Sequence, residues 1–227
     1  MNSIKDLAKL KIEISYLDMV NVLDKDFDSK QYILDELLPL LERKEIPEFY
    51  HQGLLRNIIA RRLMVQLQGF ALVSQQWIDP MAEYLKGCKC LEIMAGLGTI
   101  SSALQKRGVD IISTDNKTWE NQWNISYWTD VEEIDAIEAI EKYGADMDYI
   151  IMSWAYLDDT SYKCLQTMRS VNPDCKMIVI GEGEGGCTSD DLFFESIEHV
   201  DDPIFDTKVS SKYQRWDCIY DYIQIVK

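Results

Sequence analysis

Histidine is nearly absent from this 227-residue chain; only His51 and His199 occur. The six cysteines stand at positions 88, 90, 164, 175, 187 and 218, and none forms a C-x-x-C pair. The one close pair, Cys88 and Cys90, is C-x-C. With so few imidazoles to complete a ligand set, this spacing argues against a zinc site, and no metal is expected. The chain also lacks a run of 18 apolar residues. Its start, Met1-Asn2-Ser3-Ile4-Lys5-Asp6, has no apolar signal core. Neither a membrane span nor a secretory leader is expected, and cytoplasmic, reducing surroundings suit the cysteines. Basic residues are scarce: 23 Lys and Arg face 39 Asp and Glu, for a net charge of −16. Phosphates attract Lys and Arg, so nucleic acid and anionic membranes are not expected partners. The one compact basic group is Arg56, Arg61 and Arg62. It reads first as a solvated helix face and second as a phosphate or substrate clamp.

What is present is ordinary globular material, 47% hydrophobic and 27% charged. The length suits one domain with a sizeable extension. Before residue 87 the patterns are helical. Ile33, Leu34, Leu37, Leu38 and Leu41 form one amphipathic stripe. Pro47 interrupts, and Leu54, Leu55, Ile58, Ile59, Leu63 and Leu67 form another. After residue 87, short apolar runs alternate with helical stretches. The runs are Cys90–Met94, Val109–Ser113, Tyr149–Met152, Met177–Ile180 and Tyr220–Val226. Helices are expected to begin near Thr99, Val131, Asp159 and Ser189. Strands alternating with helices predict an α/β fold, a mostly parallel sheet covered on both faces. The last run alternates more, as an antiparallel edge strand would. The expected division is a helical extension over residues 1–80 and a Rossmann-like domain over 81–227, with any oligomer forming through the N-terminal helices.

The most informative stretch is Lys89-Cys90-Leu91-Glu92-Ile93-Met94-Ala95-Gly96-Leu97-Gly98-Thr99-Ile100. An apolar strand ends in a glycine-bearing loop and a helix begins at once. In open α/β sheets nucleotides bind in the crevice beyond such a strand end. A dinucleotide site wants G-x-G-x-x-G, but the third position here is Ser101. Glu92, just before the loop, suits an ammonium group and would repel a pyrophosphate. This loop resembles the first motif of class I S-adenosylmethionine-dependent methyltransferases, with Met94 at the first glycine position and Gly96 and Gly98 at the others. The bland alternative is a tight strand–helix turn without a ligand. The next strand ends in Asp115-Asn116, about 20 residues past the first loop, where an acid can accept ribose hydroxyls of adenosylmethionine or of NAD alike. Asp135-Ala136 follows at a loop-to-helix junction. There an acid is either a helix cap or, as the methyltransferase resemblance implies, an acceptor for the adenine amino group. A literal G-x-G-x-x-G, Gly181 to Gly186, carries Glu182 and Glu184 and follows a late strand, which does not suit phosphates.

Amino-directed members of the methyltransferase family carry a D/N/S-P-P-Y/F turn after the fourth strand. Here Ser153-Trp154-Ala155-Tyr156 stands in that place without either proline. The chain further resembles a group of bacterial and fungal methyltransferase-like proteins with Trp-x-Ile-Pro, W-P-P-Y and G-E-G-x-G-G-C-T segments. Its counterparts are Trp77-Ile78-Asp79-Pro80, Ser153–Tyr156 and Gly181–Thr188, so the resemblance covers roughly residues 77–227. It implies S-adenosylmethionine as cofactor, held by Trp77, Glu92, Met94, Ala95, Gly96, Gly98, Asp115, Asn116, Asp135, Ala136, Ser153 and Trp154. Tyr156, Glu184 and Ser153 are the expected catalytic residues, with Glu182 or Glu184 attracting a protonated amine on a small molecule or a protein. The Glu182–Glu184 loop reads equally as a glycine-rich turn with solvated acids. Two other functions stay open: a catalytically silent methyltransferase-like binding or regulatory module, and an NAD-dependent oxidoreductase.

Overall fold

The computed structural model describes residues 35, 38–48, 61, 64, 65, 68–118 and 127–227. Most of both expected N-terminal stripes, together with Arg56, Arg62 and any interface through those helices, lies outside the described residues. Within them, α1 (Leu38–Arg43) and α2 (Gln75–Tyr84) precede the sheet. There follow β1 (Lys89–Ile93), α3 (Thr99–Gln105), β2 (Asp110–Asp115), β3 (Glu132–Glu133) and α4 (Ala136–Tyr143). The rest is β4 (Tyr149–Ser153), α5 (Thr160–Val171), β5 (Lys176–Gly181), α6 (Asp191–Ser196), α7 (Pro203–Lys208) and β6 (Tyr222–Val226).

The six strands lie in the order β3-β2-β1-β4-β5-β6. All neighbours pair parallel except β5 and β6, which pair antiparallel at the edge. This is a Rossmann-like α/β sheet, and its strand order reverses between β1 and β4.

Both faces are covered, which is why the strands read as near-continuous apolar runs. The two-residue period sends Cys90, Ile151, Ile178 and Ile223 into a core under α2, α3 and α7. Leu91, Ile150, Met152 and Met177 enter a second core under α4, α5 and α6. Glu92 shares the first face with Cys90 and so points at α3. Helix α2 contains Pro80, the expected domain boundary, and buries Trp77, Ile78 and Met81 in the first core. The expected helix near Val131 begins at Ala136, because Asp135 caps it by accepting from the Ile137 N–H at 2.9 Å. The segment ahead of it forms β3, a two-residue strand of glutamates.

Candidate active site

A cleft of about 520 Å³ opens at the carboxyl ends of β1, β2 and β4, at the strand-order reversal. Its size is that of ordinary small-molecule sites. The first loop contributes Glu92, Met94, Ala95 and Gly96, and the second strand Asp115 and Asn116. Asp135 and Ala136 come from the start of α4, and Ser153, Trp154 and Tyr156 from the turn after β4.

Three expected site residues lie elsewhere. Trp77 is fully buried in the first core; its indole N–H donates to the Leu72 carbonyl at 2.8 Å and its ring meets Tyr213. An aromatic on the buried face of an amphipathic helix is core, which explains the miss. Gly98 faces away from the cleft. A Cβ there would come within 2.8 Å of Val131 Cγ2 and 3.0 Å of Thr129 Cγ2. Its φ of +70° makes the N-cap of α3, so this glycine serves packing. Gly96 differs: it has φ +55°, an added Cβ would meet nothing within 4 Å, and its backbone borders the cleft.

Glu184 is exposed on the loop after β5 and does not line the cleft. That loop folds on itself. Glu182 accepts from the Cys187 N–H at 3.0 Å, and Thr188 donates to the Glu182 carbonyl at 2.8 Å. A Cβ at Gly186 would meet Glu182 Cβ at 2.5 Å, so small residues are needed to close the turn. Burial opposes ionisation of Glu182, but the N–H groups of Cys187 and Tyr220 outweigh it and hold the carboxyl below its usual range. Glu182 therefore stays ionised, and its own loop makes it a weaker base than a free carboxylate.

The acids of the cleft are held in place. Asp115 accepts from the Gly96 N–H at 2.8 Å and the Lys117 N–H at 2.7 Å, tying the second strand end to the glycine loop. Each carboxylate oxygen has a second lone pair, so accepting from a ligand remains open to it. Glu92 is 1% exposed. Its Oε2 accepts from the Ser101 N–H at 3.0 Å and from the Ser101 hydroxyl. Burial pushes its carboxyl up to about 7; the Ser101 donors pull the other way. The residue at the missing third glycine position thus has its own task, anchoring Glu92. Thr99 Oγ1, on the cleft wall, is buried without a partner among the described residues.

The turn after β4 departs physically from a Pro-Pro turn. Trp154 has φ +53°, a conformation closed to proline. Its N–H also donates to the Ile180 carbonyl at 2.7 Å, which proline could not do. Met94 is likewise left-handed, at φ +52°, which shows why glycine is favoured at that place. Tyr156 is 56% exposed at the cleft. Burial and then the Asp115 and Asp158 carboxylates push its phenol up, so it stays protonated at neutral pH.

Residues 68–71 form a wall that the sequence patterns did not reveal. Phe70 stacks on Trp154 at 5.5 Å with a 23° interplanar angle. Trp216 Nε1 donates to the Phe70 carbonyl at 3.1 Å and pins this segment. The helix-breaking Gly69-Phe70 pair was the available signal. Among the described residues lining the cleft there are four acids, Glu92, Asp115, Asp135 and Asp158, and no Lys, Arg or His.

The sequence matches no protein-family model and no curated protein. The fold is similar to magnesium protoporphyrin IX methyltransferase from Synechocystis PCC 6803 with bound SAM, at 13% identity and TM-score 0.43, covering 87% of this chain and 94% of that one. It is also similar to a SAM-dependent methyltransferase from Archaeoglobus fulgidus, at 15% identity and TM-score 0.41, over 66% and 90% of the two chains. A third is 1,6-didemethyltoxoflavin-N1-methyltransferase from Burkholderia thailandensis, with its substrate and S-adenosylhomocysteine bound, at 13% identity and TM-score 0.40, over 66% and 76%. Likeness at this level concerns the fold alone.

Proposed function

We propose that the chain is an S-adenosylmethionine-dependent methyltransferase with an amine-type acceptor on a small molecule or a protein. The observation that carries this reading is the charge of the cleft. Three aspartates, the Glu92 carboxyl that burial raises to about 7, and no cation among its described residues suit a ligand with an ammonium, a sulfonium and ribose hydroxyls. They do not suit the pyrophosphate of NAD.

The residues present fit such a cofactor. Thr99 Oγ1, on the wall near Gly96, is a buried hydroxyl with no partner among the described residues. Gly96 lets the backbone be approached closely, Asp115 would accept ribose hydroxyls, and the start of α4 at Asp135-Ala136 would meet the base. Glu92 would face the ammonium end, through whatever acceptor capacity Ser101 leaves it. When bound, the cofactor supplies a methyl group already activated on a sulfonium. The chain's own work is then to orient the acceptor and exclude water. Ser153 and Tyr156 border the acceptor end; the Trp154, Phe70 and Tyr156 rings offer π faces to a cation. With Tyr156 protonated and Glu182 engaged in its own loop, the acceptor nitrogen would arrive neutral or shed its proton to solvent.

The Trp154 backbone favours a second reading, a silent methyltransferase-like binding module. Proline can neither adopt the Trp154 backbone nor make its N–H bond to Ile180, so this turn differs in conformation from the Pro-Pro turn of amine-directed enzymes. Methyl-labelled adenosylmethionine incubated with panels of small amines and proteins separates the two. Label in an acceptor, lost in Tyr156→Ala, supports the enzyme. Binding without label transfer across the panels supports the module.

A further inference from the structure

Behind the acceptor side of the cleft lies a buried acid that none of these roles uses. Asp221 immediately precedes β6 and is 1% exposed. Its Oδ2 accepts from the Trp154 indole N–H at 3.1 Å and from the Tyr213 hydroxyl at 2.7 Å. Its Oδ1 is buried with no hydrogen-bond partner among the described residues. An acid so placed is costly, because its second oxygen has lost water and gained no hydrogen bond from another described residue. The cost coincides with another, the left-handed backbone of Trp154. Two unfavourable features that meet in one hydrogen bond are the mark of a geometry held for use.

The contacts run in a line from the core to the cleft. Trp77 packs on Tyr213 at 5.3 Å, Tyr213 and Trp154 share Asp221, and Trp154 stacks on Phe70. Trp77, expected from the sequence to touch the cofactor, is the far end of this line.

We propose that Asp221 is a positioning residue: by holding the Trp154 indole N–H it fixes the ring that, with Phe70, walls the acceptor end of the cleft. What that wall faces rests on the methyltransferase reading; the Asp221–Trp154 coupling does not. Burial pushes the Asp221 carboxyl up, against the Tyr213 and Trp154 donors and its own backbone N–H, and the Glu182 carboxylate adds to the rise. Tyr213, facing it from the turn after α7, is itself pushed well above the usual phenol range and remains a donor. Lowering the pH through the Asp221 transition therefore weakens the grip on the indole.

The test uses the full chain labelled with nitrogen-15 in its tryptophans. The indole signal missing from Trp154→Phe assigns that residue. In the wild type this signal is expected to titrate with pH. Asp221→Asn keeps an oxygen acceptor, so the signal stays near its wild-type position but no longer titrates. In Asp221→Leu it moves toward the free-indole position and exchanges with solvent faster by about tenfold or more, as loss of a charge-assisted hydrogen bond implies. The ligand arm compares sinefungin, which places a protonated amine where the methyl would be, with S-adenosylhomocysteine. Asp221→Leu is expected to weaken sinefungin several-fold and leave the other ligand nearly unchanged. An unmoved Trp154 signal in Asp221→Leu, or equal weakening of both ligands, overturns the proposal. Should that variant not fold, a wild-type signal indifferent to pH, or one that titrates equally in Asp221→Asn, overturns it instead. If the wild type binds neither ligand, the methyltransferase reading fails while the indole signal still decides the role of Asp221.

Discussion

Replacing Glu92 by Gln is expected to leave the stability of the protein unchanged in acid and to raise it above neutral pH. The carboxyl is completely buried and burial raises it from 4.5 to about 7. A raised acid favours the folded state fully below its unfolded value, and this contribution is lost as pH rises through the folded value. At ~1.4 kcal/mol per pH unit, a rise from 4.5 to about 7 withdraws about 3 kcal/mol from the wild type by about pH 8. Gln cannot ionise, yet its carbonyl can accept both donors of Ser101. The variant should therefore match the wild type near about pH 4 and exceed it by up to ~3 kcal/mol at about pH 8. Total stabilities of this class of domain are about 5–15 kcal/mol, so the difference is a large fraction and easily measured. Urea unfolding at the two pH values is the assay. A variant less stable than the wild type at the higher pH, or a difference that does not change with pH, would refute the account of Glu92. The same variant should bind S-adenosylhomocysteine more weakly if Glu92 faces its ammonium end.

The two loop glycines should separate by assay. Gly98→Ala puts a Cβ within 2.8 Å of Val131 and should destabilise the fold by more than the ~1–2 kcal/mol of left-handed strain alone, read as a lower melting temperature. Gly96→Ala meets nothing, so its stability cost should be the strain only, while ligand affinity falls in calorimetry. Tyr156→Ala should lower turnover with little change in stability, since the ring is 56% exposed. Glu184→Ala, outside the cleft, should leave turnover unchanged in the same assay. With net charge −16, no gel shift of single- or double-stranded probes is expected at physiological salt; salt-sensitive retention at submicromolar protein would contradict this.

The sheet was legible because its strands are buried on both faces, so each run from Lys89, Asp110, Tyr149 and Lys176 is apolar enough to stand out. The antiparallel edge strand betrayed itself by alternation, with Tyr222 and Gln224 outward and Ile223 and Ile225 inward. β3 was not legible: Glu132 and Glu133 join the sheet through backbone bonds to β2 and carry no hydrophobic signal. Nor was α7, six residues started by Asp202 accepting from Ile204 and Phe205 N–H groups. In the site, residues adjacent to strand ends were readable because the Rossmann-like topology fixes where those ends converge. Phe70 was not, since it reaches the cleft through tertiary packing of a segment far from the sheet in sequence. Asp221 carried a faint signal, an acid between aromatic residues in an otherwise apolar run, Ile219-Tyr220-Asp221-Tyr222-Ile223. Glu184 misled because a glycine-rich acidic loop looks the same in sequence whether it faces a ligand or closes on itself.

Isothermal calorimetry of the full chain with S-adenosylhomocysteine, with NAD as the control, decides directly what the cleft binds. Heat and saturation are expected with the first and none with the second. Asp115→Ala should weaken the first by about ten- to a hundredfold, the worth of a charge-assisted hydrogen bond at roughly 1.5–3 kcal/mol. No heat from millimolar S-adenosylhomocysteine with a protein shown to be folded, or heat from NAD instead, would contradict the methyltransferase reading.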